Sequence, residues 1–320
     1  MRTIFFGTPA FAVPTLERLL ASSHEVVGVV TQPDRPRGRG QRVSASPVKT
    51  VAASQGLTVV QPERMKDTDF LEALTVMKPD LGVVAAYGKF LPDALLELPR
   101  LGMINVHASL LPKYRGAAPI HRAIMAGETE TGITIIRLVH EMDAGPMLRW
   151  EAVPIDPGDT SASLEPRLAD LGARLLVATV DDLDAGRATG HEQDHDQVTL
   201  APRLTRDDGL IDWTKTAQEI HDQVRGLHPW PHAYSWLDAV RYLLLETAVV
   251  ETPPPSSHDS QPVAGEVMEA AKDRLIVAAG QRTALALLEL QPEGRRPLTT
   301  RAFLAGRQLR AGAVFQHHAS

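Results

Sequence analysis

The sequence predicts an α/β domain built on a mainly parallel sheet, followed by a smaller barrel or sandwich of short strands. Three observations lead there. Apolar, β-branched runs alternate with amphipathic stretches through the first half and beyond, the pattern of strand–helix–strand units covered on both faces. After Gly209 the pattern changes to one helix and then short strands separated by turns. The chain has 320 residues, and at about 150 residues per domain that suggests two domains.

Thr3–Phe6 is a short buried run ending at Gly7. Pro14 then sits where a first helical turn tolerates proline, and Leu16, Leu19 and Leu20 supply the apolar face. Val26–Thr31, Leu57–Val60, Leu81–Ala85, Met103–Val106 and Ile133–Leu138 read as further strands. Lys49–Gln55 and Phe70–Met77 read as helices. Leu164, Leu168, Leu171 and Leu175 mark one face of a long helix that packs on a core. Ala201–Gly209 carries Pro, Arg and Asp–Gly signals of a linker, so domains are expected at 1–203 and 210–315 around a linker at 204–209. Ile220, Val224 and Leu227 suggest one more helix. Tyr234–Trp236, Arg241–Val250, Ala264–Met268, Arg274–Ala278 and Ala284–Leu290 suggest short strands, with a turn or loop at Pro253–Ser260. Gln316–Ser320 is expected to fray.

Composition removes whole classes of function. There are no cysteines, so thiolate catalysis, disulfides and Cys-type metal sites are excluded. The 33 Lys and Arg against 39 Asp and Glu give a net charge of −6, which argues against a general DNA coat. No run approaches the ~20 apolar residues of a membrane span. Gly7, Pro9 and Pro14 interrupt the apolar start, so a secretion signal is not expected and a cytoplasmic protein is.

The chemistry concentrates after the Met103–Val106 strand. Alternation puts Asn105 and His107 on one face at its carboxyl end, where ligands collect in open α/β sheets. An amide donor and an imidazole there could steady an oxyanion and move a proton. Asn-x-His alone is more often structural. Asp143, in His140–Gly145, could orient His107 or pass a proton through water, but Asp-x-Gly is also a common plain turn. Residues 34–49 carry Arg35, Arg37, Arg39, Arg42 and Lys49 against one acid, Asp34, and read as a loop. Arg295, Arg296, Arg301, Arg307 and Arg310 form a second basic stretch with no acid after Glu293. Either stretch could be a solvated surface. Trp213, Trp230 and Trp236 could stack on bases, though packing is the commoner use.

The strings GTPAFAVPTLERLL, VVTQPDRPRGRGQ, SPVK, VVAAYGKFLP, INVHASLLPKYRGAAPI, MDAGP and LAPRLTRDDGLIDW resemble the methionyl-tRNA formyltransferase family, and the match runs in order from Thr3 to about Val314. The resemblance implies a Rossmann-like formyltransferase domain followed by an OB-like β-barrel that binds tRNA. It implies formyl transfer from 10-formyltetrahydrofolate, a co-substrate, to the α-amino group of methionyl initiator tRNA, with no metal. Asn105, His107 and Asp143 would be the catalytic set. Ser109, Leu110, Leu111 and Pro112 would form part of the folate pocket, with Phe90 and Leu91 packing on the pterin. Arg39, with Arg37 and Arg42, would meet the acceptor stem. A monomer without DNA or membrane partners is expected.

Lys113–Tyr114, His121 and Arg203 depart from residues frequent in the family, and His121 bears on fine specificity. Three rivals share parts of the pattern: a formyltransferase acting on a small amine, a formyltetrahydrofolate hydrolase, and a binding protein without catalysis. The first would keep Asn105, His107 and Asp143 without needing the arginine segment or an RNA-facing second domain, the second would use water in place of the amine, and the third would need none of the three. A nicotinamide dehydrogenase is disfavoured because Gly7-Thr8-Pro9 is not a G-x-G-x-x-G turn.

Overall fold

The computed structural model describes residues 1–37, 42–251 and 262–317. It divides into two compact units. One comprises Met1–Pro119, Glu130–Pro154 and Glu165–Pro202; the other comprises Ile120–Thr129, Ile155–Leu164 and Arg203–Ser320.

The first unit follows the strand–helix alternation. β1 (Arg2–Gly7), α1 (Val13–Leu20), β2 (Glu25–Val30), β3 (Arg35–Arg37), β4 (Arg42–Ser44), α2 (Pro47–Ser54), β5 (Val59–Val60), α3 (Thr68–Met77), β6 (Leu81–Ala85), α4 (Asp93–Leu96) and β7 (Met103–His107) follow in order. Then come β8 (Arg115–Gly116), α5 (Pro119–Met125), β9 (Glu130–Arg137), β10 (Met147–Pro154), α6 (Ser161–Asp184) and β11 (Leu200–Ala201). Seven strands make one sheet in the order β10-β9-β7-β6-β1-β2-β5. The five from β7 to β5 are parallel, and β9 and β10 add an antiparallel margin. β1 is central and buried along nearly its whole length, as its unbroken apolar run requires. The chain runs from β1 out through β2 to β5 and returns to the other side at β6. Ligands collect beyond the strand ends at such a switch.

α2 starts on Ser46, whose hydroxyl accepts from the Lys49 amide at 3.1 Å, with Pro47 in the first turn. This explains the Ser-Pro pair of the Ser-Pro-x-Lys string by capping. A core of Ile4, Phe6, Val30, Phe70, Leu74, Val84, Tyr87, Leu91, Leu95 and Met103 packs behind β1 and β6.

Several sequence expectations need correction. The arginine segment is a hairpin rather than a plain loop, because β3 pairs antiparallel with β4 in the register Arg37↔Arg42. Lys49 is not a free cation there. Its Nζ donates to Asp34 Oδ2 at 2.5 Å and to Gln61 Oε1 at 2.7 Å. The Lys49 hydrogen bond, with Gln61 second, holds the Asp34 carboxyl below its usual range. Arg39 lies outside the described residues, as do the side chains of Arg37 and Arg42.

The second unit takes α5 from Ile120 on and the first residues of α6, up to Leu164, and continues with α7 (Ala217–Gly226), capped reciprocally by Thr216 and Glu219. β12 (Ala233–Leu237), β13 (Val240–Val250), β14 (Val267–Ala271), β15 (Arg274–Ala278), β16 (Ala284–Pro292), β17 (Leu298–Thr299) and α8 (Thr300–Ala305) follow. The strands form an antiparallel sheet in the order β12-β13-β16-β15-β14, with β17 on β16. The C-terminal segment then joins both margins of that sheet. Val267 donates to Ala313 O at 2.7 Å, and Trp236 and Gln316 exchange backbone bonds at 3.0 and 2.8 Å. Gln316 is therefore paired rather than frayed, since an open strand edge gains bonds by covering. Trp213 is core. Its ring packs on Phe315 with centroids 5.7 Å apart, and its indole donates to Ser235 Oγ at 2.9 Å.

Candidate active site

β7 delivers Asn105 and His107 to the carboxyl end of the parallel strands, where β9 covers its other edge. His107 is 4% exposed. Its Nε2 lies 2.9 Å from the carbonyl oxygen of Tyr114. A carbonyl only accepts, so Nε2 carries a hydrogen and Nδ1 is left to act. Nδ1 faces Asp143 Oδ2 at 3.6 Å. That exceeds a direct hydrogen bond and sets the carboxylate against the free ring nitrogen. The same Oδ2 accepts from the Gly116 amide at 2.9 Å. The Asn105 side chain makes no hydrogen bond among the described residues, so its amide is available to a ligand.

The 108–116 loop is braced from three sides. Thr134 Oγ1 donates to Ser109 O at 2.7 Å and accepts from the Leu111 amide at 3.1 Å. Ser109 Oγ donates to Lys113 O at 2.6 Å. The Tyr114 amide donates to Thr199 Oγ1 at 2.8 Å, and β8 pairs in parallel with β11. Tyr114 and Asp143 both adopt left-handed backbone, with φ of 62° and 51°, so each corner is held by its surroundings. Gly116 is required: its φ is +126°, and a Cβ would stand 2.6 Å from the Ala201 carbonyl oxygen.

The residues expected to receive folate fall into two kinds. Ser109, Leu111 and Leu91 are buried, and Leu91 belongs to the core behind β1 and β6. Leu110 and Pro112 are half-buried, with Leu110 lying against Gly132 of β9. Phe90 is 61% exposed and meets the His140 ring edge-on at 5.8 Å. His140 Nδ1 lies 2.9 Å from Asp93 Oδ1. Val139 and Met142 are exposed as well, so the 87–92 and 138–143 loops present apolar surface. Tyr87 points inward, and burial pushes its phenol up to about 12.

The sequence reading missed Arg115 and Gln193. Both are buried, and Gln193 Oε1 accepts from Arg115 at 3.1 and 2.8 Å. They stand 78 residues apart, and no local pattern could have linked them. His121 falls in the second unit, its backbone against Gly226. Burial, then Arg122, lowers its pKa. Arg307 reaches Asp238 and the Tyr242 hydroxyl, whereas Arg295, Arg296, Arg301 and Arg310 are exposed. Among the described residues no helix is long and apolar enough to cross a membrane, and no group of three or more His, Asp or Glu side chains gathers to hold a metal ion.

The formyl transferase family matches residues 1–180, and the formyl transferase C-terminal domain matches residues 203–308. The chain is 44% identical over 318 residues to the methionyl-tRNA formyltransferase of Desulfotalea psychrophila, covering 99% of this chain and 96% of that one. It is 42% identical over 313 residues to the enzyme of that name from Bacillus subtilis, covering 98% and 97%. Among solved structures, the sugar 3N-formyl transferase WlaRD superposes with a TM-score of 0.67 at 16% identity, covering 92% of this chain and 99% of that one. HypX from Aquifex aeolicus in complex with tetrahydrofolic acid gives 0.59 at 16% identity, covering 95% and 47%. At that identity the last two speak for the fold alone.

Proposed function

The chain belongs to the methionyl-tRNA formyltransferase family, and from that premise we propose that Asn105, His107 and Asp143 carry out its reaction. It is an enzyme that moves the formyl group of 10-formyltetrahydrofolate to the α-amino group of methionyl initiator tRNA, for translation initiation. The amine nitrogen attacks the formyl carbon, and the carbon–N10 bond breaks as the tetrahedral intermediate collapses. The amine gives up one proton and N10 takes one, so the exchange balances without a covalent enzyme intermediate.

One observation carries the residue assignment. His107 is locked through Nε2, and its one remaining nitrogen faces the Asp143 carboxylate. Protonated at Nδ1, the ring offers positive charge to the oxyanion beside the unbonded Asn105 amide. At 3.6 Å the carboxylate stabilises that ring by charge and leaves room for water to carry the amine's proton. The apolar surface of Phe90, Val139 and Met142 fits a flat heteroaromatic ring, and the backbone polar groups of Ser109–Pro112 fit its edge.

The finer assignments extend this reading. Arg39, with Arg37 and Arg42, meets the acceptor stem, where a guanidinium fork suits phosphate or a base edge. The domain at 1–203 performs the chemistry. The domain at 210–315 binds RNA through its exposed arginines. The enzyme works in the cytoplasm as a monomer.

The test is formyl transfer to charged initiator tRNA, elongator methionyl-tRNA, uncharged tRNA and a mixture of small amines. Selective formylation of the charged initiator is expected. Folate turnover without formylated tRNA would overturn the reading.

A further inference from the structure

Gln193 is 4% exposed and makes every hydrogen bond its amide can make. Nε2 donates to the Asp143 carbonyl at 2.7 Å and to the Gly145 carbonyl at 2.8 Å. Oε1 accepts from Nε and Nη2 of Arg115 at 3.1 and 2.8 Å. The amide has one workable orientation, because a flip would set N–H groups against the guanidinium and oxygen against two carbonyls. Arg115 is 5% exposed, and its chain neighbour Gly116 donates to the Asp143 carboxylate.

Asp143 is therefore gripped at both ends, its backbone carbonyl by Gln193 and its carboxylate by the Gly116 amide beside Arg115. The turn needs such a grip. Asp143 has a φ of 51°, and a Cβ on Gly145 would fall 1.9 Å from the Arg137 carbonyl oxygen. Two carbonyls of this forced turn point the same way, and the two hydrogens of one amide answer them.

We propose that Gln193 is the positioning residue for Asp143: it fixes the carboxylate's distance to His107 Nδ1 and affects turnover only through that carboxylate. This rests on the catalytic reading of Asp143. A small displacement of a group at the reacting centre is enough to slow a reaction strongly.

Gln193→Glu separates this from a merely structural role. The glutamate keeps the shape and pairs with Arg115 but offers no N–H to the two carbonyls. Four proteins are compared: wild type, Gln193→Glu, Asp143→Asn and the double variant. Expected for Gln193→Glu is a kcat lower by about tenfold with little change in KM for either substrate. In the Asp143→Asn background, itself slower by about 100-fold, the added change should cost less than about twofold. Should Gln193→Glu lower the thermal midpoint, Gln193→Met removes both donors without adding a charge and serves in its place. Wild-type kcat in the Gln193 variants, or losses that multiply in the double variant, would overturn the inference while leaving Asp143 in place. Full turnover in Asp143→Asn alone would overturn the catalytic reading and the inference with it.

Discussion

The polar groups of the first unit's site are held by hydrogen bonds from near and distant parts of the chain, while the cations of the second unit largely face water. His107 is tied to Tyr114, Asp143 to Gly116 and Gln193, and Ser109 to Lys113 and Thr134. Arg295, Arg296, Arg301 and Arg310 are exposed and carry no ion pair among the described residues. The contrast matches the two roles proposed. Stabilising an oxyanion needs donors already in place when the charge develops. Attracting a phosphate backbone needs only charge at the surface, acting over about a Debye length.

The largest expected effect is on the held side. Under the proposed mechanism Asn105→Ala removes an amide that faces the developing oxyanion and should lower kcat by about 100-fold or more, with folate affinity little changed. Steady-state kinetics beside folate titration measures both, and an equal loss of binding would move Asn105 from chemistry to the pocket. Gly116→Ala comes next. The new Cβ would meet Ala201 O at 2.6 Å, so β8 must shift and carry the Asp143 donor with it. Loss of activity and a lower thermal midpoint should appear together. Activity lost with stability intact would mean that the clash is relieved locally.

The exposed side should respond more gently and with salt. Arg301→Glu with Arg310→Glu should raise KM for tRNA severalfold, spare folate binding and weaken the dependence of tRNA affinity on ionic strength. An unchanged salt slope would return these arginines to ordinary surface. The smallest effect concerns half-buried histidines of the second unit. Burial lowers the pKa of His121, His221 and His232 below 6.5, with Arg122, Arg225 and His228 respectively adding to it. The unfolded chain then binds protons more readily than the fold does. Stability should be full above 6.5 and fall as pH drops below it. Hydrogen exchange across α7 and β12 at pH 7.5 and 5.5 would show this, and equal protection at both would contradict it.

The same contrast explains how much the sequence disclosed. The strand end that carries Asn105 and His107 was legible because alternation marks it locally, and the turn at Asp143 because its short string does. The parallel sheet was legible from its unbroken apolar runs. Gln193 was not, because its link to Asp143 and Arg115 exists only after folding. β10 was missed because a margin strand with Arg149, Trp150 and Glu151 shows no clean alternation. The β3–β4 hairpin was hidden by its arginines and prolines. The pairing of Gln316 was hidden because Gly312–Gln316 gains its strand character only from the edges it covers.

The central claim is that His107 acts in the transition state rather than in binding. The direct measurement is single-turnover formyl transfer from 10-formyltetrahydrofolate to charged initiator tRNA by wild type and His107→Ala, with folate and tRNA binding determined on the same preparations. The account predicts binding within a few fold of wild type and transfer slower by about 100-fold or more. Transfer at the wild-type rate, or a loss wholly explained by weakened binding, would contradict it.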